Sequence, residues 1–238
     1  MKIRKGILIF FALMFTLFCI VSWKVENCGA STPEPVRSVP VKQSQEKVKK
    51  SYDSWNLLLV NNKNSIPNNF KVNLTQLSNG QQVDERIYED LQAMMDDARS
   101  AGLQPSICSA YRNKDFQTKL YNREIQDYIN KGYSKKDAVK EASSWVAVPG
   151  SSEHETGLAL DIVSANYMIL DEHQEETPEQ KWLMENSYKY GFILRYPSDK
   201  SEITGIQYEP WHYRYVGKEA AKEIKERGIC LEEYINGQ

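Results

Sequence analysis

Ser152-Glu153-His154-Glu155-Thr156-Gly157-Leu158-Ala159-Leu160-Asp161, continued by Ile162-Val163, joins a histidine, a turn and a short apolar run carrying a carboxylate. Gly157 to Val163 is too short and too rich in strand-favouring residues for a helix, so the run reads as a β-strand. On a strand, Ala159 and Asp161 project to one face and Leu158, Leu160 and Ile162 to the other. The small alanine leaves room for an ion beside Asp161, and Gly157 permits a turn that brings the His154 imidazole back over the carboxylate. A histidine and an aspartate at this spacing are also common as plain surface residues, so a second segment has to carry the argument.

That segment is Glu209-Pro210-Trp211-His212. Pro210 argues against a helix interior, and Trp211 to Val216 alternates like a strand. His212 and Arg214 then share one face, and Trp211, Tyr213 and Tyr215 share the other as a stripe that reads as core. The chain has three histidines; His173 lies in the acidic stretch Asp171 to Glu176 and reads as a solvated loop residue. The other two fall in the two dense segments, which favours a shared ligand role. A catalytic zinc takes three nitrogen or oxygen ligands, keeps a position open for water, and needs a nearby carboxylate that is not a ligand. His154, Asp161 and His212 can fill the first role and Glu209 the second. The plainer alternative pairs Glu209 with Arg214 or a backbone amide.

Outward from these segments, the chain opens Met1-Lys2-Ile3-Arg4-Lys5, followed by an uncharged apolar run from Gly6 to Trp23 and then Lys24. Residues 1–24 read as an export signal, either a cleaved signal peptide or a membrane anchor that leaves the body outside the cytoplasm. Residues 25–51, with prolines, serines, glutamines and a lysine cluster, read as an extended linker. The folded body is expected over 52–238. Residues 1–50 carry nine Lys or Arg and three Asp or Glu, so a basic stem precedes an acidic body. Such a stem suits a tether near anionic lipid or polymer, or a merely solvated linker. Nothing in the overall balance, a net charge of -2, points to nucleic acid. Cys108 and Cys230 could pair in an exported protein or stay separately buried, and without a C-x-x-C pair a thiolate zinc site is excluded on spacing.

Within the body, Trp55 to Val60 reads as a buried strand and Val83 to Ala101 as a helix ended by Gly102, with Met94-Met95 as core filling. Gln104 to Tyr111 reads as a strand leading to Arg112. A helix follows on Phe116, Leu120, Ile125, Tyr128 and Ile129, and another is capped by Ser134 with Asp137. Thr177-Pro178-Glu179-Gln180 marks a helix start, Gly191 a stop, and Gly217 to Arg227 a last helix closed by Gly228. These elements predict an α+β fold with a small, mostly antiparallel sheet flanked by helices.

The pattern Ser152-x-His154-x-x-Gly157-x-Ala159-x-Asp161 with Glu209-x-x-His212 resembles the zinc D-alanyl-D-alanine carboxypeptidases and dipeptidases of the VanY and VanX group, in the superfamily that contains hedgehog signalling domains. Ser109-Ala110-Tyr111-Arg112, Gly191 to Pro197, Ile203-Thr204-Gly205 and Glu209 to Gly217 are similar to the carboxypeptidase branch. The resemblance implies one zinc per chain on His154, Asp161 and His212, Glu209 as base, and Arg112 steadying the developing oxyanion. Ser152, Tyr111 and Gln117 become candidate substrate contacts. It further implies peptidoglycan stem peptides as substrate, either D,D-cleavage or L,D-cleavage of tetrapeptides, at the outside of a bacterial membrane or in the wall. A non-catalytic zinc module of the same fold is the competing class. Ala110 stands where the family more often has glycine.

Overall fold

A computed structural model describes residues 54–237; the expected signal or anchor and the linker lie outside the described residues. A hairpin of β1 (Leu74–Gln76) and β2 (Gln82–Asp84) comes first. The main sheet has β3 (Pro105–Ser109), β4 (Ala159–Ser164), β5 (Phe192–Leu194) and β6 (His212–Tyr215), ordered β3-β4-β6-β5 and antiparallel throughout. Around it lie α1 (Tyr88–Ser100), α2 (Lys114–Asn130), α3 (Lys135–Ala142), α4 (Pro178–Asn186), the single turn α5 (Ser201–Thr204), α6 (Lys218–Arg227) and α7 (Leu231–Ile235). The expected α+β class with a small antiparallel sheet is therefore observed. No helix among the described residues is long and apolar enough to cross a membrane.

The caps explain where the helices begin. Asn113, Ser134 and Thr177 each accept a hydrogen bond from the backbone N–H three residues on, at Phe116, Asp137 and Gln180, satisfying donors that the first helical turn leaves free. Beneath the sheet, Leu158, Leu160, Ile162, Tyr213 and Tyr215 pack with Ile87, Leu91, Met94, Met95 and Phe192. The alternation expected for β4 holds, with Leu160 and Ile162 in this core and Asp161 turned away from it. Trp211 departs from its expected stripe and lines the cleft on the other side.

Two expectations fail for identifiable reasons. Trp55 to Val60 is not a strand: Trp55–Leu57 is a 3-10 turn, and the carbonyls of Asn56 and Leu58 accept from the buried Arg214 Nη2 at 3.1 and 2.9 Å instead of from a neighbouring strand. The first helix begins at Tyr88 rather than Val83. Val83 pairs with Thr75 in the hairpin, and the Asp84 side chain accepts from Arg86 N at 2.9 Å to form a separate turn over Glu85–Ile87. The helix expected on Phe116, Leu120, Ile125, Tyr128 and Ile129 is observed as α2, although within it only Gln117 is buried and Phe116 is 57% exposed. Cys108 and Cys230 are free thiols, so the disulfide alternative is not realised.

Gly157 sits in the left-handed region at φ 73°, between the turn carrying His154 and the strand carrying Asp161. A Cβ there would lie 2.9 Å from the Asp84 backbone nitrogen and 3.1 Å from Val72 Cγ2. Gly157→Ala therefore combines backbone strain with a clash against the Asp84 backbone, and should lower unfolding free energy by roughly 1–3 kcal/mol. A urea melt of the metal-free protein checks this, and an unchanged midpoint would contradict it.

Candidate metal centre and active-site cleft

Asp161 on β4 stands directly opposite His212 on β6 in the strand register, a separation at which paired side chains meet. His154 enters from the 3-10 turn Glu153–Thr156. Its Nδ1 lies 2.7 Å from the Ala110 carbonyl. A carbonyl can only accept, so Nδ1 carries the proton and Nε2 keeps its lone pair. That Nε2 lies 3.3 Å from Asp161 Oδ1, and His212 Nδ1 lies 3.2 Å from the same oxygen. The three side chains are buried, and their ligand atoms lie within 4.8 Å of one another.

Asp161 Oδ1 is buried without a hydrogen-bond partner among the described residues. A carboxylate oxygen in that position costs free energy unless a cation sits against it. Two imidazole nitrogens and one carboxylate oxygen form a donor set that zinc accepts while keeping a fourth position open. The residues present thus fit the ion expected from the sequence.

Glu209 precedes β6 on the turn made by Pro210. Its Oε2 is 3.6 Å from His212 Nδ1, and the side chain stands at the edge of the metal group without belonging to it. Burial, with help from Asp161, pushes its carboxyl up to about 8 in the metal-free protein. Burial also drives the His154 imidazole down to about 4, with Arg112 adding to the effect, so that it is neutral and ready to ligate. Burial opposes charge on His212 too, but its contacts with Asp161 and Glu153 prevail and raise it to about 9.

Arg112 reaches the site as expected, and its guanidinium is engaged there: Nη2 donates to Asp161 Oδ2 at 2.6 Å and Nε to Ser109 Oγ at 2.9 Å. Gln117 backs it, with Oε1 3.5 Å from Arg112 Nη1 and Nε2 donating to the Ala147 carbonyl at 2.8 Å. The group opens into a cleft of about 560 Å³. Arg112, Gln117 and Ser152 line it; Tyr111 does not, and its backbone N–H donates to Gln82 instead. Leu120 and Glu124 of α2 form part of one wall, while Leu170 to His173 contribute to the mouth. His173 is largely solvated, as expected, with its side chain 70% exposed.

One part of the site is not apparent from sequence. Glu153 is fully buried behind His212, and its Oε1 accepts from Arg195 Nε at 2.7 Å and Arg214 Nη1 at 2.8 Å. Arg195 also donates twice to Glu232 of α7, at 2.8 and 2.6 Å. Arg214 therefore pairs with Glu153, not with Glu209. A glutamate between a serine and a histidine ordinarily reads as solvated, and only the arginines brought from two other strand regions make its burial tolerable.

The profile of the VanY family, described as D-alanyl-D-alanine carboxypeptidase, matches residues 80–218, a stretch that holds every residue of the metal group and Glu209. The chain belongs to the VanY family. A D-alanyl-D-alanine carboxypeptidase of Enterococcus faecalis is 49% identical to this VanY-family chain over 182 residues, which cover 76% of this chain and 66% of that relative. The solved structure of a vancomycin-resistance D,D-pentapeptidase VanY variant in complex with Zn(II) is 48% identical, with a TM-score of 0.71 over 77% of this chain and 100% of that one. The LD-carboxypeptidase LdcB is 37% identical, with a TM-score of 0.66 over 76% of this chain and 86% of that one.

Proposed function

We propose that this chain is a zinc-dependent carboxypeptidase that removes the terminal D-alanine from peptidoglycan stem peptides. The observation that carries the reading is the buried group of His154, Asp161 and His212, opening onto a peptide-sized cleft beside a carboxylate, Glu209, that does not belong to the group. A purely structural zinc site would close its fourth position and need no such neighbour. Similarity to a VanY structure holding Zn(II), and to another described as VanYB in complex with D-alanine-D-alanine, supports both metal and substrate class.

His154 through Nε2, His212 through Nδ1 and Asp161 through Oδ1 would hold the ion. When bound, zinc supplies a Lewis acid and lowers the pKa of water at its open position to about 7. Glu209 accepts the proton released by the attacking water and passes it to the departing amine, a role suited to a buried carboxylate whose pKa lies near neutrality. Arg112 lines the cleft beside the metal group, held there by its contact with Asp161, and would steady the charge that develops on the carbonyl oxygen. Ser152, buried and lining the cleft, is the candidate donor to the substrate's terminal carboxylate. The apolar run at Gly6 to Trp23 supports export, with the body held at the outer face of the membrane or released to the wall.

L,D-cleavage is the second reading, favoured by the similarity to LdcB. Incubating the zinc-loaded protein with pentapeptide and tetrapeptide stems separates the two. Release of D-alanine from the pentapeptide is expected; release from the tetrapeptide alone would select the L,D reading, and release from neither, with zinc bound, would remove both.

A further inference from the structure

The zinc-ligand histidines are held from behind in different ways. His154 leans on a backbone carbonyl, Ala110 O, through Nδ1. His212 presents the opposite nitrogen: its Nδ1 faces Asp161 Oδ1 at 3.2 Å, while Nε2 points into the protein toward Glu153 Oε2 at 3.5 Å. Both of those inward atoms are buried, and neither has a hydrogen-bond partner within normal geometry among the described residues. Glu153 cannot turn away. Its Oε1 is taken by Arg195 and Arg214, Arg195 is clamped in turn by Glu232, and Asn61 Nδ2 donates to Glu232 Oε1 at 3.1 Å. Two arginines therefore saturate one carboxylate oxygen and leave the other facing the imidazole.

We propose that Glu153 is a positioning residue for the metal ligand His212, its free oxygen fixing the imidazole with the proton on Nε2 so that Nδ1 is the nitrogen presented to the metal. This rests on the zinc reading above. A carboxylate behind a ligand imidazole sets the tautomer, orients the ring and raises its basicity, and losing such a partner typically weakens metal binding by about 10–100-fold. The arrangement also ties the metal centre to α7, through His212, Glu153, Arg195 and Glu232, although α7 contributes no residue to the cleft lining. The competing account makes Glu153 a counter-ion for the two arginines with no effect on the histidine.

Glu153→Gln separates the accounts. The arginines need an acceptor, so they should hold the amide oxygen and turn the amide NH₂, a donor, toward Nε2–H. Zinc affinity of the variant, measured by chelator competition, should fall by about 10–100-fold while the metal-free protein keeps a cooperative melt. A folded variant that holds zinc within about twofold of wild type would overturn the proposal. Should the variant not fold, the wild-type protein decides. In ¹⁵N-histidine-labelled protein loaded with ¹¹³Cd, His212 should couple to the metal through Nδ1 and carry its proton on Nε2, and coupling through Nε2 would overturn the proposal. If the wild type takes up neither metal, the zinc reading itself falls and this inference with it; uptake with the wrong nitrogen coupled sinks this inference alone.

Discussion

Glu209→Gln is expected to bind zinc as the wild type does and to lose turnover on stem peptides by roughly 10²–10⁴, the range over which a positioned acid–base group contributes. The substitution keeps side-chain volume and removes the capacity to accept a proton. Glu209 lies outside the group of three ligand residues and only 3.6 Å from one of their nitrogens, so metal content should be unaffected. The pH profile provides a second readout. Burial raises the Glu209 carboxyl to about 8 without metal, and a divalent cation beside it favours the ionised form. The base is competent only when ionised, so kcat/KM of the zinc enzyme should rise with pH along a limb lying below pH 8, and the glutamine variant should lack that limb. Turnover of the variant within tenfold of wild type, with equal zinc content, would remove Glu209 from its role.

Arg195→Met should be the most destabilising of the substitutions considered. Arg195 is fully buried between Glu153 and Glu232. Removing it leaves Glu232 without its bidentate partner and leaves Glu153 to Arg214 alone. Breaking a buried ion pair from one side costs about 3–5 kcal/mol, a large share of the roughly 5–15 kcal/mol that stabilises a typical domain. The loss should depend on pH in a defined direction. Burial pushes the Glu232 carboxyl up, but Arg195 beside it more than offsets this and holds it below its ordinary value of 4.5. A carboxyl depressed in the folded state contributes stability above its unfolded pKa and loses that contribution as pH falls through the folded value. The difference between wild type and Arg195→Met should therefore be largest at neutral pH and shrink below pH 4.5. Urea melts at several pH values measure it, and a gap that stays constant or widens in acid would contradict the assignment.

The legibility of this chain was uneven. Helix starts at Ser134 and Thr177 could be read because a cap is a local event, a side chain bonding a backbone N–H three residues away. The start of α1 could not, because Val83 answers to Thr75 across a hairpin rather than to its own neighbours. Trp55 to Val60 misled for the same reason: its carbonyls are occupied by Arg214, more than 150 residues further along the chain. Leu120 kept helical spacing without a core to face, since it lines the cleft.

The sequence by itself determined the metal group. Strand alternation set Asp161 apart from Leu160 and Ile162, Pro210 kept Glu209 off a helix, and few histidines were available to choose among. Register is what brought the group together, because Asp161 and His212 become opposite partners only when β4 and β6 pair as they do. The role of Glu153 was decided by tertiary structure alone. Its meaning depends on which charges are buried with it, and Arg195, Arg214 and Glu232 are brought to it by the sheet and by α7, not by their distance along the chain.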